Sequence, residues 1–478
     1  MSTNRRQFLA GLTAAGLTAG LGGPRLARAS AVPLGSWKIL EIFLWRGVSH
    51  RETFWWDVAS DDFAPWRELP DTSWFNNAPN VLTPTGITSA NGVSVSMGPC
   101  VDPLLGSDLW NKLRMMVLSH PLAPHGPAGA RGLTGSDPGR PAFAGLGARV
   151  GSAYSNPSGA PVSYVVDTGV GPGLIGHATA TGTLGVPTQP FVIPLHDGNF
   201  PTRLQRLNVP DTDLLLGLYR DRYGDRLIHP TATPPSVRSP GYDAYDAALT
   251  MVQNGGLVQP IVGGLPYGGG SSYTENVLTR SVGAALTLLN RSADAAQHVC
   301  VLSEGGYLNN DTHLDGGESY EHHATVHNGN MWGLLNALRE ALDRGPSAAD
   351  GLDLSTTLVA IHSEFGRTYE SSDGTGTSHW PHAYPAVLIG GPLLNTGGPT
   401  ATGNITFASD DHDGEATEGF ATTGEPYTPL DFMAALTLAA GIDPFGPDMF
   451  ALNDSTVSAI ASNATDAATE ITCQVFGL

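Results

Sequence analysis

The chain has 478 residues, a formal charge of −20 and two lysines, Lys38 and Lys112. With so acidic a balance and no basic run, it is not built to bind nucleic acid or an anionic membrane surface, and an anionic substrate needs a local site that overcomes the global field. Charged residues make up 14% of the chain against roughly 25% in an average domain, and 60 Gly with 36 Pro imply many loops.

The first element is an address. Arg5-Arg6 precedes Phe8-Leu9, a weakly apolar stretch runs from Ala10 to Gly23, and Ala27-Arg28-Ala29 places small residues where a signal peptidase reads. This order predicts a twin-arginine signal peptide over residues 1–29, the twin-arginine export machinery as a partner, and a mature protein that is periplasmic or extracellular. The apolar stretch is shorter than the ~20 residues that a retained helix needs, and no later stretch is long enough, so no membrane span is expected. The route carries proteins already folded, often with a metal or cofactor installed. Residues 30–478 read as one large domain with loop insertions.

Short apolar runs recur at Ile39–Leu44, Met115–Leu118, Val162–Val166, Val299–Leu302, Thr357–Ile361 and Ala386–Ile389. Most are continuous rather than alternating, as strands buried on both faces are. Stretches of helical period separate them: Thr212–Tyr223, Tyr242–Val252, Thr274–Leu289, Met331–Leu342 and Pro429–Ala440. The alternation predicts an α/β fold, a mostly parallel central sheet with helices on both faces. Gly255–Ser272 and Thr396–Gly424 read as loops. Of Cys100, Cys300 and Cys473, the first and last are the pair to expect if a disulfide forms, because Cys300 lies in a strand-like run.

In open α/β sheets sites form beyond the carboxyl ends of the strands. Polar residues gather there: Arg46, Ser49 and His50; His120 and His125; Glu304, Asp311 and His313; His362, Glu364 and Arg367. Seven of the fifteen histidines fall between His313 and His382, which concentrates the candidate chemistry in that window. Asp311 and His313 are two apart and can meet one ion in extended chain. Such carboxylates and imidazoles suit a divalent metal ion: zinc, manganese, magnesium or calcium. His323 and His327, four apart, are either helix-borne ligands or solvated residues on the entry turn of the helix before Met331. Glu364 and Arg367 can pair with each other, and His382 beside Trp380-Pro381 can simply pack.

The run Leu358-Val359-Ala360-Ile361-His362-Ser363-Glu364-Phe365-Gly366-Arg367-Thr368, followed by Ser378-His379-Trp380-Pro381, resembles the hallmark of an exported bacterial family known as domain-of-unknown-function family 1501. Asp311-Thr312-His313 resembles its Trp-Asp-Thr-His motif, with Asn310 in place of Trp. Phe43 through His50, His125 through Gly135, and Asp431 with Gly441-Ile442-Asp443-Pro444 resemble further segments. That family is similar to the alkaline phosphatase and sulfatase superfamily. The resemblance implies an alkaline phosphatase/sulfatase-like fold and a metal set of Asp311, His313, Glu364 and His379.

Three departures accompany it. Glu364-Phe365 stands where the superfamily has two ligands, and Arg46 stands where it has an aspartate. His125 occupies the nucleophile's place, nine residues before Thr134, so no hydroxyl or thiol is present to form a covalent ester. The expected function is an exported metal-dependent hydrolase of phosphate or sulfate esters, with His125, Arg367 and Arg46 as catalytic residues and an anionic ester as substrate. The alternative is a non-catalytic exported metal-binding surface or assembly protein on the same scaffold.

Overall fold

A computed structural model describes residues 37–48, 54, 86–89, 94–97, 99–136, 144–154, 161–182, 190–207, 258–268, 270, 272–291, 295–306, 309–312, 320–367, 379–381, 384–395, 398–401, 427–445 and 471–477. The expected signal peptide, Ser49, His50, His313, His382 and the expected helices Thr212–Tyr223 and Tyr242–Val252 lie outside the described residues.

Twelve strands are described: β1 Lys38–Leu44, β2 Gly86–Ser89, β3 Ser94–Ser96, β4 Leu113–Leu118, β5 Ser163–Asp167, β6 Phe191–Pro194, β7 His298–Ser303, β8 Thr357–Ser363, β9 Gly366–Arg367, β10 His379–Trp380, β11 Tyr384–Gly390 and β12 Thr400–Ala401. Ten form one sheet in the order β3-β2-β12-β4-β11-β8-β1-β7-β5-β6, and β9 and β10 form a separate antiparallel pair. The large sheet is mostly parallel, the exceptions being β11, antiparallel to β4 and β8, and β3, antiparallel to β2. The expected strands are all present; five are a residue or more longer than their apolar runs, and β5 is shifted by one residue from Val162–Val166.

Helices cover both faces. In chain order they include α1 His125–Thr134, α2 Leu146–Ala153, α3 Pro172–Ala178, α4 Val277–Asn290, α5 Tyr320–Arg344 and α6 Pro429–Ala439. Leu40, Ile42 and Leu44 of β1 share a core with α4 and α5, while Ile39 and Phe43 point the other way, toward residues of α1, α2, α3 and α6. Burial on both faces is why the strand reads as a continuous apolar run. Among the described residues no helix is long and apolar enough to cross a membrane.

Three expectations need correction. The helix before Met331 begins at Tyr320, because its polar first turns carry no apolar period to read, so His323 and His327 lie within the helix rather than on an entry turn. The expected loop Gly255–Ser272 holds a helical turn at 258–262, whose Val258, Ile261 and Val262 are buried. No disulfide joins Cys100 to Cys473. Cys100 is in the core on the α5 side of the sheet, whereas the C-terminal segment of Cys473 buries Ile471, Val475 and Phe476 on the opposite side.

Glu41 interrupts the apolar run of β1 and is 2% exposed. Its carboxylate accepts from His298 Nε2 of β7 at 2.8 Å and from His362 Nε2 of β8 at 3.0 Å, and His298 Nδ1 meets the Ser163 hydroxyl of β5 at 2.8 Å. One buried anion thus ties the three central strands together and reaches a fourth. Burial works against its ionisation, but the hydrogen bonds from His298 and His362 outweigh that and bring its pKa down to about 2. Ser163, His298 and Glu41 have the hydrogen-bond order of a hydrolytic triad, yet all three are buried. A Cβ on Gly147 of α2 would come within 2.6 Å of Ser163 Oγ. No substrate fits there, and the cluster is structural.

Removing one member of a buried charged network costs about 3–5 kcal/mol. Glu41→Gln is therefore expected to lower unfolding free energy by about that amount in denaturant titrations at neutral pH. The depressed pKa gives the sign with pH. The stabilisation is complete above the unfolded carboxyl value of about 4.3 and declines as pH falls toward about 2. The difference between wild type and variant should shrink over that window.

Candidate metal centre

Four chain segments meet at the carboxyl end of the central strands. β1 turns at Trp45-Arg46-Gly47, β7 leads to Asp311, β8 runs into Glu364, and α1 begins at His125. The β9–β10 pair sets His379 opposite Arg367. The turn after β1 is tight: Arg46 has φ +77° and Gly47 φ +74°. A Cβ at position 47 would lie 2.8 Å from the Phe365 ring, so the left-handed backbone and the close approach both demand glycine. Arg46 meets no such demand, and a non-glycine residue in this region costs about 1–2 kcal/mol.

Glu364 is fully buried. Its Oε1 accepts from the Arg46 backbone N–H at 2.7 Å and from His125 Nδ1 at 2.8 Å, and its Oε2 accepts from the Ser363 hydroxyl at 3.1 Å. His120 donates Nε2–H to the Glu364 carbonyl at 2.5 Å while its Nδ1 accepts from the Leu122 N–H. With Nδ1 held from behind, the other nitrogen of His125 is turned toward Asp311, 3.6 Å from Oδ2. That Nε2 is buried and makes no hydrogen bond among the described residues.

His125, Asp311 and His379 each offer one ligand atom, all within 4.8 Å of one another. The rings of His125 and His379 stand edge to face with centroids 4.3 Å apart, and Trp45 and Phe365 wall them in at 5.3 and 5.0 Å from His125. Two imidazoles and one carboxylate are a donor set that suits a divalent ion, and an Nε2 that makes no hydrogen bond among the described residues fits that role. A carboxylate on the far nitrogen of a ligating histidine is the usual device that fixes ring and tautomer. Glu364 supplies it here, although the sequence reading places Glu364 itself among the ligands.

The segment bearing Asp311 is anchored at Asn310. Asn310 is buried, donates its backbone N–H to Glu304 O at 2.8 Å and accepts from Asn330 of α5 at 2.9 Å. Arg367 donates Nη2 to Asp311 Oδ1 at 2.8 Å and to the Arg46 carbonyl. The Arg46 guanidinium pairs with Glu304 at 3.1 Å and lies 3.6 Å from Asp311.

Burial opposes ionisation of Asp311, yet its interaction with His125 and the charge of Arg367 outweigh that and hold the carboxyl well below the ordinary range. Burial likewise disfavours the His125 imidazolium, and the contacts with Asp311 and Glu364 overcome it and raise its pKa. His125 is thus drawn toward the charged form.

The structure brings together His125, Asp311, Glu364, His379, Arg46 and Arg367. The side chains of His323 and His327, like His313, lie outside the description. Glu41 and His298 were not singled out from sequence. For Glu41 the signal was available: a charged residue inside a strand buried on both faces must find partners, and His298 and His362 sit in the neighbouring strands.

A proton on His125 competes with a metal for Nε2. Metal affinity should therefore rise with pH, about tenfold per unit for each proton displaced, and level off above the raised pKa of His125. Chelator competition across about pH 5.5 to 8.5, bracketing an ordinary imidazole value of about 6.5, checks this. A flat profile would remove His125 from the donor set.

No curated protein matches the chain. Residues 285–445, which run from α4 through Asp311, Glu364, Arg367 and His379 to the end of α6, match the model of a family described as a protein of unknown function, DUF1501.

Proposed function

We propose that the protein is an exported metal-dependent hydrolase of phosphate or sulfate esters, on an alkaline phosphatase/sulfatase-like scaffold. The observation that carries the reading is the convergence of His125, Asp311 and His379 on one point, with Glu364 fixing the His125 ring from behind. A divalent ion held there supplies Lewis acidity, polarising an ester oxygen and making water more acidic.

The residues divide the remaining work. Glu364 keeps His125 Nε2 directed at the centre. Arg367 holds Asp311 in place. Arg46, whose side chain is 35% exposed, faces an oxyanion arriving from solvent. With an imidazole in the nucleophile's place, the attacking group is water rather than a side-chain hydroxyl. The chain carries its own address for this work: the twin-arginine signal over residues 1–29 sends it to the periplasm or beyond.

Purified mature protein should contain about one divalent ion per chain, as a single three-donor site does, and should hydrolyse members of a panel of phosphate and sulfate esters. His379→Ala should lower metal content, thermal stability and hydrolysis together, because an ion bound only to the native state stabilises it. Metal retained with no hydrolysis across the panel would favour the non-catalytic metal-binding surface or assembly protein, which the imidazole at position 125 and the arginine at position 46 support. Unchanged metal content in His379→Ala would exclude His379 as a ligand.

Export has its own test. Replacing Arg5 and Arg6 together by Lys should leave the precursor in the cytoplasm, whereas the wild-type protein should be recovered with Ser30 at its N-terminus. Wild-type protein found uncleaved in the cytoplasm would end that reading.

A further inference from the structure

Arg46 adopts the left-handed conformation at φ +77° that glycine takes without cost and arginine does not. The turn cannot relax, because it is pinned on both sides. Its N–H is held by Glu364, and its carbonyl by Arg367. Backbone strain of this kind persists where a side chain is needed at that spot for another reason.

The two arginines of the site differ in what they can reach. Arg367 is 0% exposed, and a Cβ on Gly47 would lie 3.0 Å from its Nε. Its Nη2 makes it a strut between Asp311 and the Arg46 turn, while its Nε and Nη1 are buried and make no hydrogen bond among the described residues. Arg46 keeps 35% of its side chain exposed, and its guanidinium stands at the mouth of the centre between Glu304 and Asp311. Those two contacts do not account for the strain. Glu304 is 38% exposed, where such a pair contributes little, and the 3.6 Å between Arg46 and Asp311 is longer than a hydrogen bond.

We propose that Arg46 is the residue that binds the anionic group of the ligand, phosphate or sulfate, and that the strained turn is retained to present its guanidinium beside the metal triad, Arg367 serving only to position it. The inference rests on the metal-dependent reading above and deepens it. It reverses the weight that the sequence gives to Arg367, which lies in the recognised hallmark run.

The test compares Arg46→Gly, Arg46→Ala and Arg46→Gln with the wild type, in full-length mature protein loaded with zinc. Inorganic phosphate is the probe, and inorganic sulfate the second arm. All three variants should lose at least about tenfold in phosphate affinity by calorimetry, the effect of one lost charge-assisted contact, and should bind zinc within about threefold of wild type. Gly and Ala remove the same guanidinium, so their difference isolates the backbone. Arg46→Gly should melt higher than Arg46→Ala, by a few degrees for a difference of about the left-handed penalty.

Phosphate affinity unchanged in Arg46→Gln would overturn the proposal, as would Arg46→Gly melting no higher than Arg46→Ala. Whether phosphate or sulfate loses more on substitution tells which anion Arg46 favours. If the wild type binds no zinc, the metal-dependent reading itself fails. Zinc bound normally with phosphate affinity indifferent to position 46 defeats the Arg46 proposal alone.

Discussion

A carboxylate without access to water must find its solvation in the protein, and Glu364 finds it in three donors from three parts of the chain. The Arg46 N–H comes from the turn after β1, the His125 Nδ1–H from the start of α1, and the Ser363 hydroxyl from β8 itself. The desolvation penalty of a buried ion amounts to several kcal/mol, so none of these donors can be withdrawn cheaply. That necessity fixes the rest of the site. The ring of His125 is oriented, the turn at Arg46 is held, and the turn carries the carbonyl on which Arg367 rests. Its Oε1 is taken up by the Arg46 N–H and His125, and the side chains placed so that they could share one ion are His125, Asp311 and His379.

Two clusters of histidine and carboxylate lie on the same strands, and access separates them. Glu41 with His298 and His362 is enclosed under α2, every contact internal, and serves to bind β7, β1 and β8 into one unit. Glu364 lies two residues beyond His362 on β8, but its cluster opens where the strands end. Residue chemistry alone does not distinguish the two. The first offers the more familiar arrangement of serine, histidine and acid, yet it has no room for a substrate.

The strands were legible in the sequence because burial on both faces writes a continuous apolar run, as in Ile39–Leu44 and Thr357–Ile361. The antiparallel course of β11 was not, since strand direction leaves no mark in composition. The first turns of α5 were missed because they are polar, and the turn at 258–262 because glycines surround it. Within the site, all the charged and imidazole residues that meet were named from sequence, but the grouping differed. Spacing paired Asp311 with His313. His313 lies outside the described residues, and the fold brings Asp311 to His125, at the first position of a helix nearly two hundred residues earlier in the chain. Such a pairing depends on the order of strands across the sheet, which no local pattern records.

The separations along the chain bear on how the centre comes into being. His125 and Glu364 are 239 residues apart, and Arg46 and Glu364 are 318 apart. Contacts of that range are slow to form, because the loop entropy is lost before any contact repays it. During synthesis β1 and α1 emerge long before β8 and the β9–β10 pair exist, so the early histidine has no acid behind it and no partner beside it. The centre cannot take shape from an amino-terminal fragment, however compact. An ion shared by His125, Asp311 and His379 would require the start of α1, the segment after β7 and the β9–β10 pair to have come together, so its retention would report on contacts between distant parts of the chain.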